Sequence, residues 1–166
     1  MSKRKLEILN EIFNMITDYI IDNKVEFVSL NKKVYMSLNN TFKIIELDNS
    51  LDFGNNCYYG KTMVKVDKWI SYSQGVKIAD PNNYNVEYIA VKFKENDKDL
   101  PLELVIYTFI HELAHALTIP EKHQIKNLSN SAKKKLDKLQ PMQNNDKKSI
   151  PLHHNRSFYL NLIILL

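Results

Sequence analysis

The sequence contains a single cysteine, Cys57, among 166 residues. One cysteine excludes a disulfide within the chain, and it also excludes a zinc site built from several cysteines. A chain without cysteine pairs fits a reducing compartment, and we interpret Cys57 as a small apolar side chain.

Long apolar runs are missing as well. The apolar C-terminal stretch from Phe158 to Leu166 is far shorter than the roughly twenty residues that cross a bilayer. The basic N-terminus is followed by polar residues such as Glu7, Glu11 and Asp18, which the apolar core of an export signal would not contain. We therefore expect an intracellular protein with no membrane contact, and we interpret the C-terminal run as a core helix.

The size and composition are those of one globular domain. With 166 residues, of which 44% are hydrophobic, the chain can bury a core of its own. We predict a single domain over residues 1–166 and a monomer.

Positive charge is concentrated in residues 121–148. Eight lysines and three acidic residues give this segment a net charge of +5, whereas the whole chain carries +4, so the remainder carries −1. We predict a flexible Lys-rich insertion at about 121–149. Contact with nucleic acid or another acidic partner is the alternative, although lysines without interleaved aromatic residues carry little recognition information.

Before this segment, the pattern predicts a helix followed by strands. Lys5 to Asp22 has apolar residues at helical spacing, which indicates a packing helix. Five β-rich segments separated by turn residues should form one small, mostly antiparallel sheet, and they are Val25 to Leu30, Lys33 to Leu38, Phe42 to Leu47, Thr62 to Trp69 and Val86 to Lys94. The last of these is either an exposed edge that pairs with an extended peptide or an ordinary internal strand.

A second helix, from Pro101 to Ile119, carries the most informative motif. Proline in the first turn and Pro120 after the end are typical boundaries, and Glu103 complements the helix dipole. Apolar residues cover nearly every face, so we expect a buried helix. One polar stripe interrupts them and consists of Thr108, His111, Glu112 and His115; the last three belong to the motif His111-Glu112-Leu113-Ala114-His115.

The spacing within this motif suits a metal centre. Helical residues turn by about 100° each, so His111 and His115 point from one face toward a common ion. Glu112 lies close to that face and can take a proton from a zinc-bound water. The alternative is a pair of core histidines beside a salt-bridged glutamate.

A catalytic zinc usually has three protein ligands and one open position, so a third ligand is needed. All other histidines lie downstream. His154 and His153 open the last apolar helix, which would anchor a ligand in the core, whereas His123 lies in the Lys-rich segment. We rank His154 first, His153 second and His123 third.

The motif helix, followed by His154-Asn155-Arg156-Ser157-Phe158-Tyr159, resembles the active-site region of the WLM and SprT-like zinc metallopeptidases, including versions carried by large DNA viruses. The resemblance implies an α+β minimal zincin fold with the third ligand on the C-terminal helix. It implies His111, His115 and His154 as zinc ligands and Glu112 as catalytic base. The interval between His115 and His154 is longer than is usual in that group, which marks the Lys-rich segment as an insertion.

Three functions fit these observations. The first is a zinc-dependent endopeptidase whose substrates are proteins or peptides; the resemblance extends these to proteins bound to nucleic acid. The second is a non-catalytic binding or scaffold protein with a structural zinc, for which His123 or His153 would supply a fourth ligand. The third is a nucleic-acid-associated protein that acts through residues 121–148.

Overall fold

The computed structural model describes residues 2–29, 32–35, 42–47, 59–73, 76–80, 84–123 and 154–166. Over these ranges the chain is α+β, with three helices and ten short strands. The helices are α1 (Ser2–Asn23), α2 (Leu102–Ala116) and α3 (Arg156–Leu165). The strands are β1 (Glu26–Ser29), β2 (Lys32–Tyr35), β3 (Lys43–Glu46), β4 (Gly60–Val66), β5 (Trp69–Ser73), β6 (Val76–Ala79), β7 (Tyr84–Val91), β8 (Lys94–Glu95), β9 (Lys98–Asp99) and β10 (Glu121–His123).

The described strands form four small sheets, so the prediction of one sheet is wrong. The sheet that supports α2 has the order β3-β7-β4, with β3 parallel and β4 antiparallel to β7. The others are β1-β2, β5-β6-β10 and β8-β9, and all of their pairs are antiparallel. The chain is divided in this way because the predicted strand from Thr62 to Trp69 ends at Val66, and β5 then pairs with β6.

The proposed exposed edge at Val86 to Phe93 is also wrong. This segment lies largely in β7, which has β3 on one side and β4 on the other. Three successive residues, Ile89, Ala90 and Val91, are fully buried, as expected of a strand covered on both faces. Among the described strands, β4 lies at an edge of this sheet and packs against α2.

All three predicted helices are present. α2 is buried on most of its surface and packs against β4, β7 and α3. Its interior face carries Val105, Phe109 and Leu113, each with no exposed surface, and burial of such side chains stabilises the fold by about 1.5–3 kcal/mol each. None of the helices in the described ranges is long and apolar enough to pass through a membrane.

The beginning of α2 differs in detail from the prediction. Pro101 is the residue before the helix, and no side chain caps the helix there. Asp99 lies in β9, where its Oδ1 is 3.7 Å from the Nζ of Lys5. The same buried ammonium group donates to the carbonyl oxygens of Phe93 and Leu100, which joins α1 to the segment that leads into α2.

Several predictions fall outside the described residues. These are Cys57, His153, the end of the second predicted strand and most of the Lys-rich insertion. The first three residues of the Lys-rich segment are described, and they form β10 against β6.

α3 is held in place by a buried side-chain amide. Asn161 has no exposed surface; its Oδ1 accepts from the backbone N of Val28 at 2.6 Å, and its Nδ2 donates to the carbonyl oxygen of Val28 at 3.0 Å. Nδ2 also lies 3.1 Å from Oγ1 of Thr118, just beyond the end of α2. One side chain therefore connects α3 to β1 and to α2.

We predict that Asn161→Ala lowers the free energy of unfolding by about 3 kcal/mol, because it leaves the part-buried backbone N–H and C=O groups of Val28 without their partner. Chemical denaturation measures the change. Asn10→Ala is the matched control, since the Asn10 amide donates to a carbonyl oxygen on the exposed side of α1. Equal effects of the two substitutions would contradict this role for Asn161.

Candidate metal centre

Two of the three histidines of the centre come from α2. His111 and His115 are one helical turn apart, and their ring centroids are separated by 5.2 Å. His111 is half-buried, whereas His115 is only 6% exposed. The helical spacing thus produces the paired imidazoles that the motif predicts.

The third histidine comes from the residue just before the N-cap of α3. Asn155 caps this helix, since its Oδ1 accepts from the backbone N of Phe158 at 2.8 Å. His154, immediately before the cap, has its Nε2 atom 3.1 Å from Nε2 of His111. One ring nitrogen from each of the three histidines lies within 4.8 Å of the others, close enough to hold a metal ion.

The structure therefore brings together His111, His115 and His154, the two motif histidines and the first-ranked third ligand. His153 lies outside the described residues, and His123 is described only as part of the β10 backbone, where it pairs with Val76. Among the described residues, the cluster consists of His111, His115 and His154 alone.

Phe158 lies beneath the three imidazoles. Its ring centroid is 4.2 Å from that of His115 in a stacked arrangement, 5.0 Å from that of His111 and 4.8 Å from that of His154. The side chain has no exposed surface. Contact with a fixed aromatic ring restricts the orientation of the histidines, which is what a metal site requires.

The surroundings favour the neutral form of His111 and of His154. Burial and the proximity of His154 lower the pKa of His111, and burial lowers the pKa of His154. A neutral imidazole has a lone pair for a metal, whereas a protonated one has none.

Glu112 lies on the buried side of α2, under β4, and is 7% exposed. The Oγ1 atom of Thr62 is 2.6 Å from its Oε2 atom. Burial raises the pKa of Glu112 to about 7, and the hydrogen bond from Thr62 opposes this increase. The site thus holds a carboxyl group that can exchange a proton near neutral pH.

Gly60, two residues before Thr62 on β4, also lies against this carboxyl group. A Cβ atom at position 60 would be 2.7 Å from Cγ of Glu112 and 2.7 Å from Cγ2 of Thr108. Glycine is needed here because α2 and β4 approach too closely for a larger residue.

We predict that Gly60→Ala destabilises the protein by about 1–3 kcal/mol, the usual cost of forcing extra volume into a packed contact. Thermal or urea unfolding of the metal-free protein measures this. A substitution at Lys65, on the same strand and exposed, provides the comparison. If the alanine variant is as stable as wild type, β4 can move away from α2 without loss of folding free energy, and the prediction is wrong.

The raised pKa of Glu112 gives a pH-dependent prediction for the metal-free protein. Below the ordinary pKa of 4.5 the carboxyl group is neutral in both the folded and unfolded states, and above about 7 it is ionised in both. Between these values the folded state binds more protons, so its stability falls as pH rises, by about 3 kcal/mol in total.

Glu112→Gln removes this dependence. In the presence of a chelator, we expect the stability of the Gln variant relative to wild type to increase by about 3 kcal/mol between pH 4 and pH 8, as measured by urea unfolding. The same stability difference at both pH values would contradict the effect of burial on Glu112.

Sequence reasoning missed Gly60 and Thr62 as site residues. Thr62 was assigned to a strand, but nothing in a contiguous stretch of sequence shows which strand will cross Glu112. Phe158 appeared in the motif that carries the resemblance, although no contact with the histidines was predicted from it. Its position four residues after His154, just across the N-cap of α3, was the available signal.

In comparisons with known proteins, no family model, no curated protein and no solved structure matches the chain. The functional argument therefore depends on the site itself.

Proposed function

We propose that this protein is a zinc-dependent metallopeptidase that hydrolyses peptide bonds in protein substrates. The observation that carries the proposal is the placement of His111, His115 and His154 around one point, with the buried Glu112 on the same turn of α2 as His111 and His115. Metal ligands and a candidate base thus occur together at one end of a buried helix.

The donor set favours zinc. Three imidazoles are a common protein ligand set of catalytic zinc, and they leave one coordination position open. With zinc–nitrogen bonds of about 2.0–2.1 Å in tetrahedral geometry, neighbouring nitrogens lie about 3.3 Å apart. The 3.1 Å between the Nε2 atoms of His111 and His154 is close to that value. Zinc bound here would polarise the scissile carbonyl group and make water a better nucleophile.

Glu112 supplies the proton transfers in this proposal. As the attacking water adds to the peptide carbonyl carbon, the carboxylate accepts its proton, and it later delivers that proton to the departing amine. A base with a pKa near the working pH serves both steps, and burial brings Glu112 into that range.

β4 offers a path for the substrate. Among the described strands it lies at one edge of the β3-β7-β4 sheet, and it carries the residues that contact Glu112. An extended peptide that added to this edge would pass beside the base. Tyr107 and Tyr159, each about half-exposed, flank the histidines with ring centroids 6.5 Å from His111 and 6.2 Å from His154. They are candidates to contact the substrate.

Similarity to the WLM and SprT-like metallopeptidases is part of the proposal. It is supported by the three histidines that match the motif and by Phe158, whose ring contacts all of them. The cleavage of proteins bound to nucleic acid, an intracellular location, a viral origin and a monomeric state remain predictions.

A scaffold protein with structural zinc is the alternative, and the number of zinc ligands separates the two. We expect one zinc per chain, bound by three imidazoles and one non-protein ligand, as measured by metal analysis and X-ray absorption spectroscopy. Four protein ligands would support the scaffold function, because a closed site leaves no position for water.

Activity is tested on the zinc-loaded protein with unfolded and DNA-bound protein substrates. We expect cleavage that stops when zinc is removed by a chelator and returns when zinc is added. Absence of cleavage for both substrate types, with zinc bound, would refute the proposed peptidase.

Contact with nucleic acid through residues 121–148 stays a prediction, because nearly all of that segment lies outside the described residues. A deletion that tests it should begin after His123, since residues 121–123 pair with β6. Loss of salt-dependent binding in such a variant would support the contact.

A further inference from the structure

We propose that Gly60 and Thr62 are positioning residues for Glu112: the Thr62 hydroxyl holds Oε2, and the missing side chain at Gly60 makes room for the carboxyl group, so that Oε1 is the oxygen that receives the proton. This inference rests on the proposed peptidase function, and it assigns a catalytic task to a strand that carries neither a zinc ligand nor the base.

The hydroxyl group of Thr62 has two acceptors within reach. Its Oγ1 atom is 2.6 Å from Oε2 of Glu112 and 2.9 Å from the backbone oxygen of the same residue. A hydroxyl group donates one proton, so it satisfies one of them at a time. The carboxylate is the preferred acceptor, because the contact is shorter and hydrogen bonds to charged oxygens are the stronger ones.

The hydrogen bond between Thr62 and Glu112 is important because both residues are buried. Thr62 is 8% exposed and Glu112 is 7% exposed, so neither group can exchange its partner freely for water. An ionised carboxylate in such a place needs a donor, and Thr62 supplies one from a strand fifty residues away in sequence. Among the described residues no hydrogen bond reaches Oε1, so Oε2 is the oxygen that Thr62 holds.

Gly60 completes the arrangement from the same face of β4. Residues 60 and 62 alternate with residue 61, so both face α2. A Cβ atom at position 60 would lie 3.0 Å from Oε1 of Glu112 and closer still to its Cγ. Any side chain there would displace the carboxyl group from the position in which Thr62 reaches Oε2.

The decisive comparison is Thr62→Val against Thr62→Ser, in zinc-loaded protein. Valine keeps the shape and removes the donor, whereas serine keeps the donor. We expect valine to lower kcat by about 10–100-fold, with KM and zinc affinity changed less than about twofold, and serine to restore most of kcat. Thr17→Val, in which a buried threonine that donates within α1 is changed in the same way, should leave kcat unchanged.

A second measurement does not depend on activity. In the metal-free protein, a double-mutant cycle of Thr62→Val and Glu112→Leu should show coupling: the unfolding equilibrium constant of the double variant should differ from the product of the single effects by at least about fivefold. Additive effects would show that the two side chains do not stabilise each other.

The outcomes separate this proposal from the proposed function. If wild type cleaves and Glu112→Gln does not, but Thr62→Val has wild-type kcat or serine fails to rescue, the positioning role is refuted and the peptidase function stands. If zinc-loaded wild type cleaves nothing, the peptidase function is refuted, and the positioning of a base falls with it.

Discussion

Glu112→Gln should lower kcat by about 10²–10⁴-fold, the contribution that a positioned general base commonly makes. The amide side chain has nearly the same size and can still accept the hydrogen bond from Thr62, but it cannot take a proton from water. The zinc ligands are left intact, so zinc affinity should change only slightly. Cleavage rates at saturating substrate, together with zinc content, measure the two effects.

The control for this substitution lies on the same helix. Glu103 is exposed in the first turn of α2, and Glu103→Gln makes the same chemical change far from the histidines. We expect wild-type cleavage from that variant. Equal cleavage by wild type and by Glu112→Gln would remove Glu112 from the mechanism even if zinc is bound as proposed.

His154→Ala should lower zinc affinity by more than about 100-fold, because loss of a direct ligand exceeds the 10–100-fold typical of residues that only support one. His154 is the ligand that is not fixed by the geometry of α2. Its removal leaves two imidazoles on one helix, too few to hold a catalytic zinc tightly. Competition with a chromophoric chelator measures the affinity.

His123→Ala is the comparison, since His123 was the third-ranked ligand. We expect a change of no more than a few-fold from that variant, with the secondary structure of both variants checked by circular dichroism. A larger loss of zinc affinity from His123→Ala than from His154→Ala would show that the third ligand is wrongly assigned.

The sequence predicted the helices correctly but not the arrangement of the strands in sheets. The period of apolar residues predicts α1, α2 and α3 because a helix is held together by contacts between residues three or four apart. Strand pairing leaves no comparable pattern among neighbouring residues, because the paired strands can be far apart in the sequence. The pattern in β7 suits an edge or a central strand equally, and only its burial between β3 and β4 settles which it is.

The same distinction applies within the candidate metal centre. The paired imidazoles of His111 and His115 and the neighbouring carboxylate of Glu112 follow from helical geometry in five consecutive residues. The contact of His154 with His111 spans 43 residues, and that of Thr62 with Glu112 spans 50. His154 could be ranked first as the third ligand because it precedes an apolar helix. No property of Thr62 alone indicated that it would contact Glu112.

The sequence by itself therefore determined the helix that presents two histidines and a glutamate, the exclusion of disulfides within the chain and of a cysteine-based zinc site, and a short ranking of candidate third ligands. Only the tertiary structure decided that α3 brings His154 to that helix and that β4, rather than β7, crosses Glu112. The physical reason is that side-chain direction within a helix is fixed by backbone geometry, whereas the approach of distant elements depends on how their buried faces pack together.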